Sequence, residues 1–304
     1  MLIPLLKLVR YQNILLILAT QILIKYALFE TFGIAVTLNG FEFFLLCIAT
    51  ICIAAGGNII NDIYDVETDR LNKPHRQIIP LKISEKSAYN FYIIFTIVGV
   101  GIGFYLSNLI DRPGFSALFI IISALLYLYA TYFKQVIFLG NIIISGLVAM
   151  VVIIVGLFDL LPAITPQNRQ TQAVIFSILL DYAIFAFMIN FLREMIKDQE
   201  DVNGDYNSGR NSLPIAVGRS RGNKIIFAMG LIPLAAVLWY MYEFLFTNTY
   251  AVIYVLVLIV GPLLIFQVNL LSAKKKMHYT RLSLLLKIVM ALGLLSLGLY
   301  PFII

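Results

Sequence analysis

Asn61, Asp65 and Asp69 recur at every fourth position of the stretch NDIYDVETD, and Asp201 and Asp205 repeat that interval about 140 residues later in REMIKDQEDVNGD. On a helix this interval stacks side chains along one face. Asn61, Asp65 and Asp69 then form one strip, and Arg193, Lys197, Asp201 and Asp205 another, with Glu194 and Asp198 on a neighbouring strip. Asp62 and Glu67 point elsewhere and read as solvated residues. Stacked like charges repel by roughly 0.2–0.5 kcal/mol per pair even in water, so something positive must offset them. Mg²⁺ fits, because it prefers carboxylate oxygens and keeps positions open for water and substrate phosphates. The expected metal ligands are Asp65, Asp69, Asp198, Asp201 and Asp205. With the second cluster facing the first, two or three ions would bind a diphosphate between them. Lys73, Arg76, Lys134, Lys197 and Arg210 would take the phosphate oxygens that the metal leaves free. The plainer reading is solvated loop acids balanced by nearby Lys and Arg. The recurrence of one spacing at two equivalent helix ends favours the ion site.

The elements that must position these residues follow from composition. The 304-residue chain is 61% hydrophobic and 12% charged, with a mean hydropathy of +0.93, more apolar than a soluble domain can cover. Apolar runs of about 20 residues, the length that crosses a hydrocarbon core, lie at 14–35, 41–60, 88–109, 114–133, 136–158, 172–192, 225–246, 250–271 and 282–304. The expected fold is therefore an all-α integral membrane protein of nine transmembrane helices in one domain over residues 1–304. β-Barrel spans would be shorter and would alternate. The N-terminus shows no cleavage site, so the first span reads as retained. Two longer connections, 61–87 and 198–224, each follow a span that ends in an acidic cluster, which hints at internal duplication.

The net charge of +6 does not signal nucleic acid. If nine spans alternate, Lys7, Arg10, the basic residues of 70–86, Lys134, those of 193–224 and Lys274–Lys276 with Arg281 fall on one side. Arg112 and Arg169 fall on the other. The positive-inside rule makes the rich side cytoplasmic, together with the N-terminus and both acidic clusters. The KKKMHYTR segment is expected to touch anionic lipid headgroups. Cys47 and Cys52, in one span without a CxxC or a nearby His, read as structural. Lys25, Asp181 and Lys287 are the intramembrane charges left over. Each costs roughly 2.5–3.5 kcal/mol at a helix centre and needs a partner, a cavity or a route to the interface. For Lys25 and Asp181 the reading is a structural pair or snorkelling.

A metal-bound diphosphate at the mouth of an apolar bundle points to an allylic isoprenoid diphosphate with its tail among the helices. Ionisation leaves an allylic cation. Mg²⁺ stabilises the departing diphosphate, and aromatic faces stabilise the cation. Most of the 22 Phe and 17 Tyr serve packing or the interface. Tyr127, Tyr129 and Tyr132, just ahead of Lys134, are the preferred cation partners.

NDIYDVETDRLNKPHR resembles the NDxxDxxxD motif of the UbiA superfamily of intramembrane prenyltransferases, and KDQEDVNGDYNSGRNSLPIAVG resembles its second motif with the loop that follows. YATYFKQVIFLGN is similar to the family's Tyr-to-Lys segment before a Leu-Gly-Asn, and RYQN sits where many members have Arg-Pro-x-Asn. The resemblance covers nearly the whole chain and implies nine helices. It also implies that Asn61, Asp65, Asp69, Asp201 and Asp205 hold Mg²⁺ and diphosphate, that Lys134 contacts the diphosphate, and that Arg10 and Asn13 assist. Tyr11 stands where Pro is usual, and NKPHRQIIPLKIS departs from NRPxRPIPSGxIS at Gln77, Ile79, Pro80 and Leu81. The form KDxEDxxGDxxxGxxSLP is more similar to the archaeal-type digeranylgeranylglyceryl phosphate synthases and the chlorophyll synthases than to the 4-hydroxybenzoate enzymes. It implies geranylgeranyl transfer to a glycerol hydroxyl of geranylgeranylglyceryl phosphate, giving an ether lipid. Prenylation of a quinone precursor or other aromatic acceptor is the close alternative. A secondary transporter is the rival from another class, since paired halves and intramembrane acids suit coupled transport. Against it, the acids sit at helix ends rather than at the bilayer midplane.

Overall fold

A segment in hydrocarbon must satisfy its own backbone polar groups, which an apolar run does by forming a helix. The computed structural model describes residues 2–72, 77–207 and 209–300. Among these, nine helices are long and apolar enough to cross a membrane. Two short helices stand outside the spans: α1 (Leu2–Leu8), ahead of the first span, and α4 (Val66–Asn72), which carries Glu67 and Asp69 of the first acidic motif. The spans are α2 (Tyr11–Phe29), α3 (Gly40–Tyr64), α5 (Glu85–Leu109), α6 (Pro113–Thr131), α7 (Leu139–Ala163), α8 (Arg169–Asn207), α10 (Arg219–Leu245), α11 (Thr249–Ser272) and α12 (Lys276–Leu299). The short α9 (Leu213–Val217) precedes α10. Each expected apolar run falls on one span.

Local signals set the ends. Asn39 caps α3 by accepting from the Phe41 and Glu42 backbone N–H groups, while Glu42 accepts from the Asn39 N–H, a reciprocal capping box. Ser84 caps α5 in the same way through the Ser87 N–H. Helix propensity alone would let the chain fray at Gly204, yet α8 runs unbroken through it, 39 residues from Arg169 to Asn207. The cost of one helical glycine, about 1 kcal/mol, is spread over a long element anchored by packing.

The chain divides into two compact units, Met1–Lys134 with Met150–Leu180 and Gln135–Ala149 with Asp181–Ile304. In the first, α3 lies against α5, and small residues allow the approach. A Cβ on Gly99 would meet the Ile53 side chain at 2.7 Å and the Ala49 carbonyl at 3.1 Å, and one on Gly103 would meet the Phe119 ring at 2.4 Å. At the end of this unit remote from the acidic motif, the buried Lys25 ammonium bonds Asp159 at 2.8 Å and the Leu38 carbonyl at 2.7 Å. Asp159 also accepts from the Leu38 and Thr37 N–H groups at 2.8 and 3.1 Å. Lys25 thus has a specific partner, Asp159, an intramembrane acid that hydropathy hides at the edge of its apolar run. Cys47 and Cys52 are buried and free.

In the second unit, Asn223 ties α10 to the end of α11, donating to the carbonyls of Leu270 and Ala273 at 3.1 and 3.0 Å. The buried Tyr279 hydroxyl of α12 donates to the same Ala273 carbonyl at 3.0 Å. Gln199 of α8 occupies the space over Gly222, where a Cβ would lie 2.2 Å from its amide nitrogen.

Candidate active site

The first acidic motif is built at a helix junction. Asp65 leaves helical geometry at φ −96°, ψ 2° and ends α3, and α4 begins at the next residue. The four-residue register survives the break, because the Asp65 N–H reaches the Asn61 carbonyl at 2.9 Å and the Asp69 N–H reaches the Asp65 carbonyl at 2.7 Å. The carboxylate of Asp65 is gripped from two sides: Asn61 Nδ2 donates to Oδ2 at 2.7 Å, and Lys134 Nζ donates to Oδ1 at 2.7 Å. Lys134 arrives from the segment after α6, so the family-like Tyr-to-Lys segment delivers a cation to the motif. The expected strip is present at Asn61 and Asp65.

Arg10 stands at the break between α1 and α2 in the left-handed region, φ 56°, ψ 58°, a conformation costly for a residue with a side chain. Asn58 of α3 secures the break by donating to the Val9 carbonyl at 3.0 Å. The guanidinium of Arg10 then meets Asp62 at 2.8 Å. Asp62, with Asp65 further off, raises the pKa of Arg10 beyond its ordinary value. Asp62 is therefore not the solvated residue that its place on the helix suggested; it aims Arg10. Asn13 lies in the first turn of α2, its N–H on the Arg10 carbonyl at 2.8 Å. Glu67 is exposed, as expected. Lys73 and Arg76 lie outside the described residues.

Of the tyrosines, Tyr127 stands in an aromatic group that sequence reasoning missed. Its ring meets Tyr64 edge-on at 6.2 Å and stacks near Tyr92 at 6.5 Å, and the Tyr64 and Tyr127 hydroxyls are 3.4 Å apart. Tyr64 directly precedes Asp65, a signal that was available in the motif itself. Tyr129 is half-buried and interacts electrostatically with Arg10. Tyr132 is 62% exposed, with its ring against Phe133.

In the second unit, Asp198 accepts from Asn141 at 2.9 Å, so the Leu-Gly-Asn segment positions the second acidic motif as the Lys134 segment positions the first. Asp205 is buried and pairs with Arg210 at 3.4 Å, and the Arg210 N–H returns to the Asp205 carbonyl at 3.0 Å. Asp201 lies 3.7 Å from Lys276. Glu194, placed from the sequence only on a strip beside the acidic face, is buried and bridges Lys197 at 2.8 Å and Arg193 at 3.1 Å. The i, i+3 spacing to Lys197 was its only mark.

The donor chemistry can be tested against a divalent ion. Among the described residues, no three His, Cys, Asp or Glu side chains form a ready cage. Mg²⁺ does not require one, since one or two carboxylates per ion with substrate phosphates and water complete its shell. Among the described residues the buried Oδ1 of Asn61 accepts no hydrogen bond, and it shares its side chain with the amide that holds Asp65. Hard oxygen donors with one acceptor unsatisfied fit such an ion.

These features define a multi-pass helical membrane protein with an acid-and-amide cluster at a helix end of each unit. A profile of the UbiA prenyltransferase family matches residues 27–290, and the chain belongs to that family; it is a transferase of prenyl groups. A digeranylgeranylglyceryl phosphate synthase of Korarchaeum cryptofilum is 30% identical over 262 residues, 85% of each chain. A solved structure concerned with digeranylgeranylglyceryl phosphate synthase in membranes aligns with a TM-score of 0.66, at 24% identity, over 99% of this chain and 98% of that one. A UbiA homolog from Archaeoglobus fulgidus bound to GPP and Mg²⁺ aligns at 0.57, with 17% identity, over 97% and 99%. The two structures bear on the fold.

Proposed function

We propose that this protein transfers a geranylgeranyl group from its diphosphate to the free glycerol hydroxyl of geranylgeranylglyceryl phosphate, forming an ether lipid, with Mg²⁺ as cofactor. The observation that carries the catalytic part is the Asp65 carboxylate held between Lys134 and Asn61. The acceptor rests on the 30% identity to the Korarchaeum cryptofilum synthase. Geranylgeranyl diphosphate and the lipid acceptor are thus the partners, both delivered from the membrane. The family profile runs through residues of both units, which supports one catalytic domain. The basic excess on one set of connections supports a cytoplasmic N-terminus and cytoplasmic acidic motifs.

Bound Mg²⁺ would neutralise the diphosphate and stabilise the charge that grows on it as it leaves. Asn61, Asp65 and Asp69 in the first unit, and Asp198, Asp201 and Asp205 in the second, would hold the ions. Lys134, Arg10, Lys197 and Arg210 supply positive charge and hydrogen-bond donors to phosphate oxygens, with Asn13 as a further polar contact. The allylic C–O bond breaks with its electron pair going to diphosphate. Tyr127, beside Tyr64 and Tyr92, presents an aromatic face to the cation, and Tyr129 lies on the same helix. The acceptor oxygen then bonds C1 of the prenyl group and gives up its proton. The direct test incubates purified protein with geranylgeranyl diphosphate, Mg²⁺ and a panel holding geranylgeranylglyceryl phosphate and quinone precursors. A doubly geranylgeranylated glyceryl phosphate mass supports the reading, whereas a prenylated aromatic as sole product replaces the acceptor.

A further inference from the structure

Asp181 lies twelve residues into α8, within a candidate span, and makes no hydrogen bond or ion pair among the described residues. An ionised carboxylate within a span is costly unless a countercharge meets it, which makes Asp181 a candidate binding group. Its surroundings indicate for which kind of partner. The Tyr182 hydroxyl bonds Ser296 at 2.7 Å, and side-chain hydrogen bonds link the hydroxyls of Tyr182, Tyr240 and Tyr300. Both Tyr240 and Tyr300 interact electrostatically with Asp181. An apolar groove of about 560 Å³ in the same unit is lined by Tyr250, Tyr254, Val257, Leu258 and Leu299. Leu299 neighbours Tyr300 in the chain, and Tyr254 interacts electrostatically with Tyr182. Tyr254 is held rigid by its hydroxyl on the Leu292 carbonyl at 2.8 Å.

The depth suits a lipid headgroup. Tyr240 and Tyr254 are each five residues from an end of their spans, Leu245 and Thr249, which is about 8 Å at the helical rise. Exposed Trp239, Tyr242, Phe244, Phe246 and Tyr250 surround those ends, the aromatic belt of a membrane interface. We propose that Asp181 and the Tyr182, Tyr240 and Tyr300 group form a lipid site of the second unit, with a cationic ammonium headgroup at Asp181 and its chain in the Tyr254–Leu299 groove. A carboxylate supplies the countercharge, aromatic rings add cation–π attraction, and the groove takes a hydrocarbon chain. The site uses residues that the acidic motifs do not, and stands whether or not the acceptor reading holds.

The test is native mass spectrometry of the full-length protein in detergent, titrated with phosphatidylethanolamine and with N-acetylated phosphatidylethanolamine of the same chains. The charged headgroup should be retained at least about tenfold better, as expected for a charge-assisted contact. Asp181→Asn should erase that preference without changing prenyl transfer in detergent, which also reports that the variant folds. Leu258→Trp should weaken both lipids together. Equal retention of the two lipids by the unaltered protein, or a preference that survives Asp181→Asn, overturns the proposal.

Discussion

Lys134 Nζ and Asp65 Oδ1 lie 2.7 Å apart, with side chains only 7% and 13% exposed. An ammonium so placed can offset the carboxylate in the unliganded protein and turn to phosphate oxygens when an ion takes its place. Lys134→Met should therefore lower kcat/KM by about 10²-fold, the scale of losing one charged donor at a leaving group. Combining it with Asp65→Asn should cost far less than the product of the two single losses, because residues in one ion pair are not additive. Steady-state kinetics on the four proteins measures this.

Asp69 and Glu67 differ by only two positions yet lie on different faces of the motif. Asp69→Ala and Asp205→Ala should remove activity that raised Mg²⁺ does not restore, while the exposed Glu67→Ala stays close to the unaltered enzyme. Equal losses in all three would contradict the stacked face. Diphosphate release against Mg²⁺ concentration is the readout.

Aromatic stabilisation predicts a similar contrast. Tyr127 stands in the Tyr64 and Tyr92 group, whereas Tyr132 is exposed with its ring on Phe133. Tyr127→Leu should lower kcat by about 2- to 30-fold, the range of a cation–π contact worth roughly 0.5–2 kcal/mol, with little change in KM for the donor. Tyr132→Leu should leave kcat within about twofold. Parallel kcat determinations decide it.

The buried Lys25 and Asp159 pair belongs to stability. Removing either partner alone strands a buried charge, at a cost of about 3–5 kcal/mol. Lys25→Met should accordingly lower the melting temperature in detergent markedly. Lys25→Met with Asp159→Leu should recover part of that loss, since an apolar pair of similar volume leaves no stranded charge.

The nine spans were legible because length and hydropathy alone decide whether a segment can cross hydrocarbon, and each apolar run became a helix. The pairing of Asn61 with Asp65 was legible because four-residue spacing is a local property of a helix. Contacts made across the fold were less so. Asp62 looked solvated because nothing local marks it, and only the left-handed turn at Arg10 brings its cation there. Asp159 hid at the end of an apolar run, so the partner of Lys25 was not identified. The continuation of α8 past Gly204 is not legible locally, because tertiary packing overrides a single glycine's propensity.

Acid-held, Mg²⁺-dependent transfer of a prenyl group would leave a lipid product of defined mass. The most direct measurement is the mass of the lipid product formed from geranylgeranyl diphosphate and geranylgeranylglyceryl phosphate by the purified protein, with and without EDTA, beside Asp65→Ala and Asp201→Ala. A digeranylgeranylglyceryl phosphate product is expected from the unaltered protein without EDTA, and its loss with EDTA and in both variants. Product formation undiminished by EDTA and by both substitutions would contradict it.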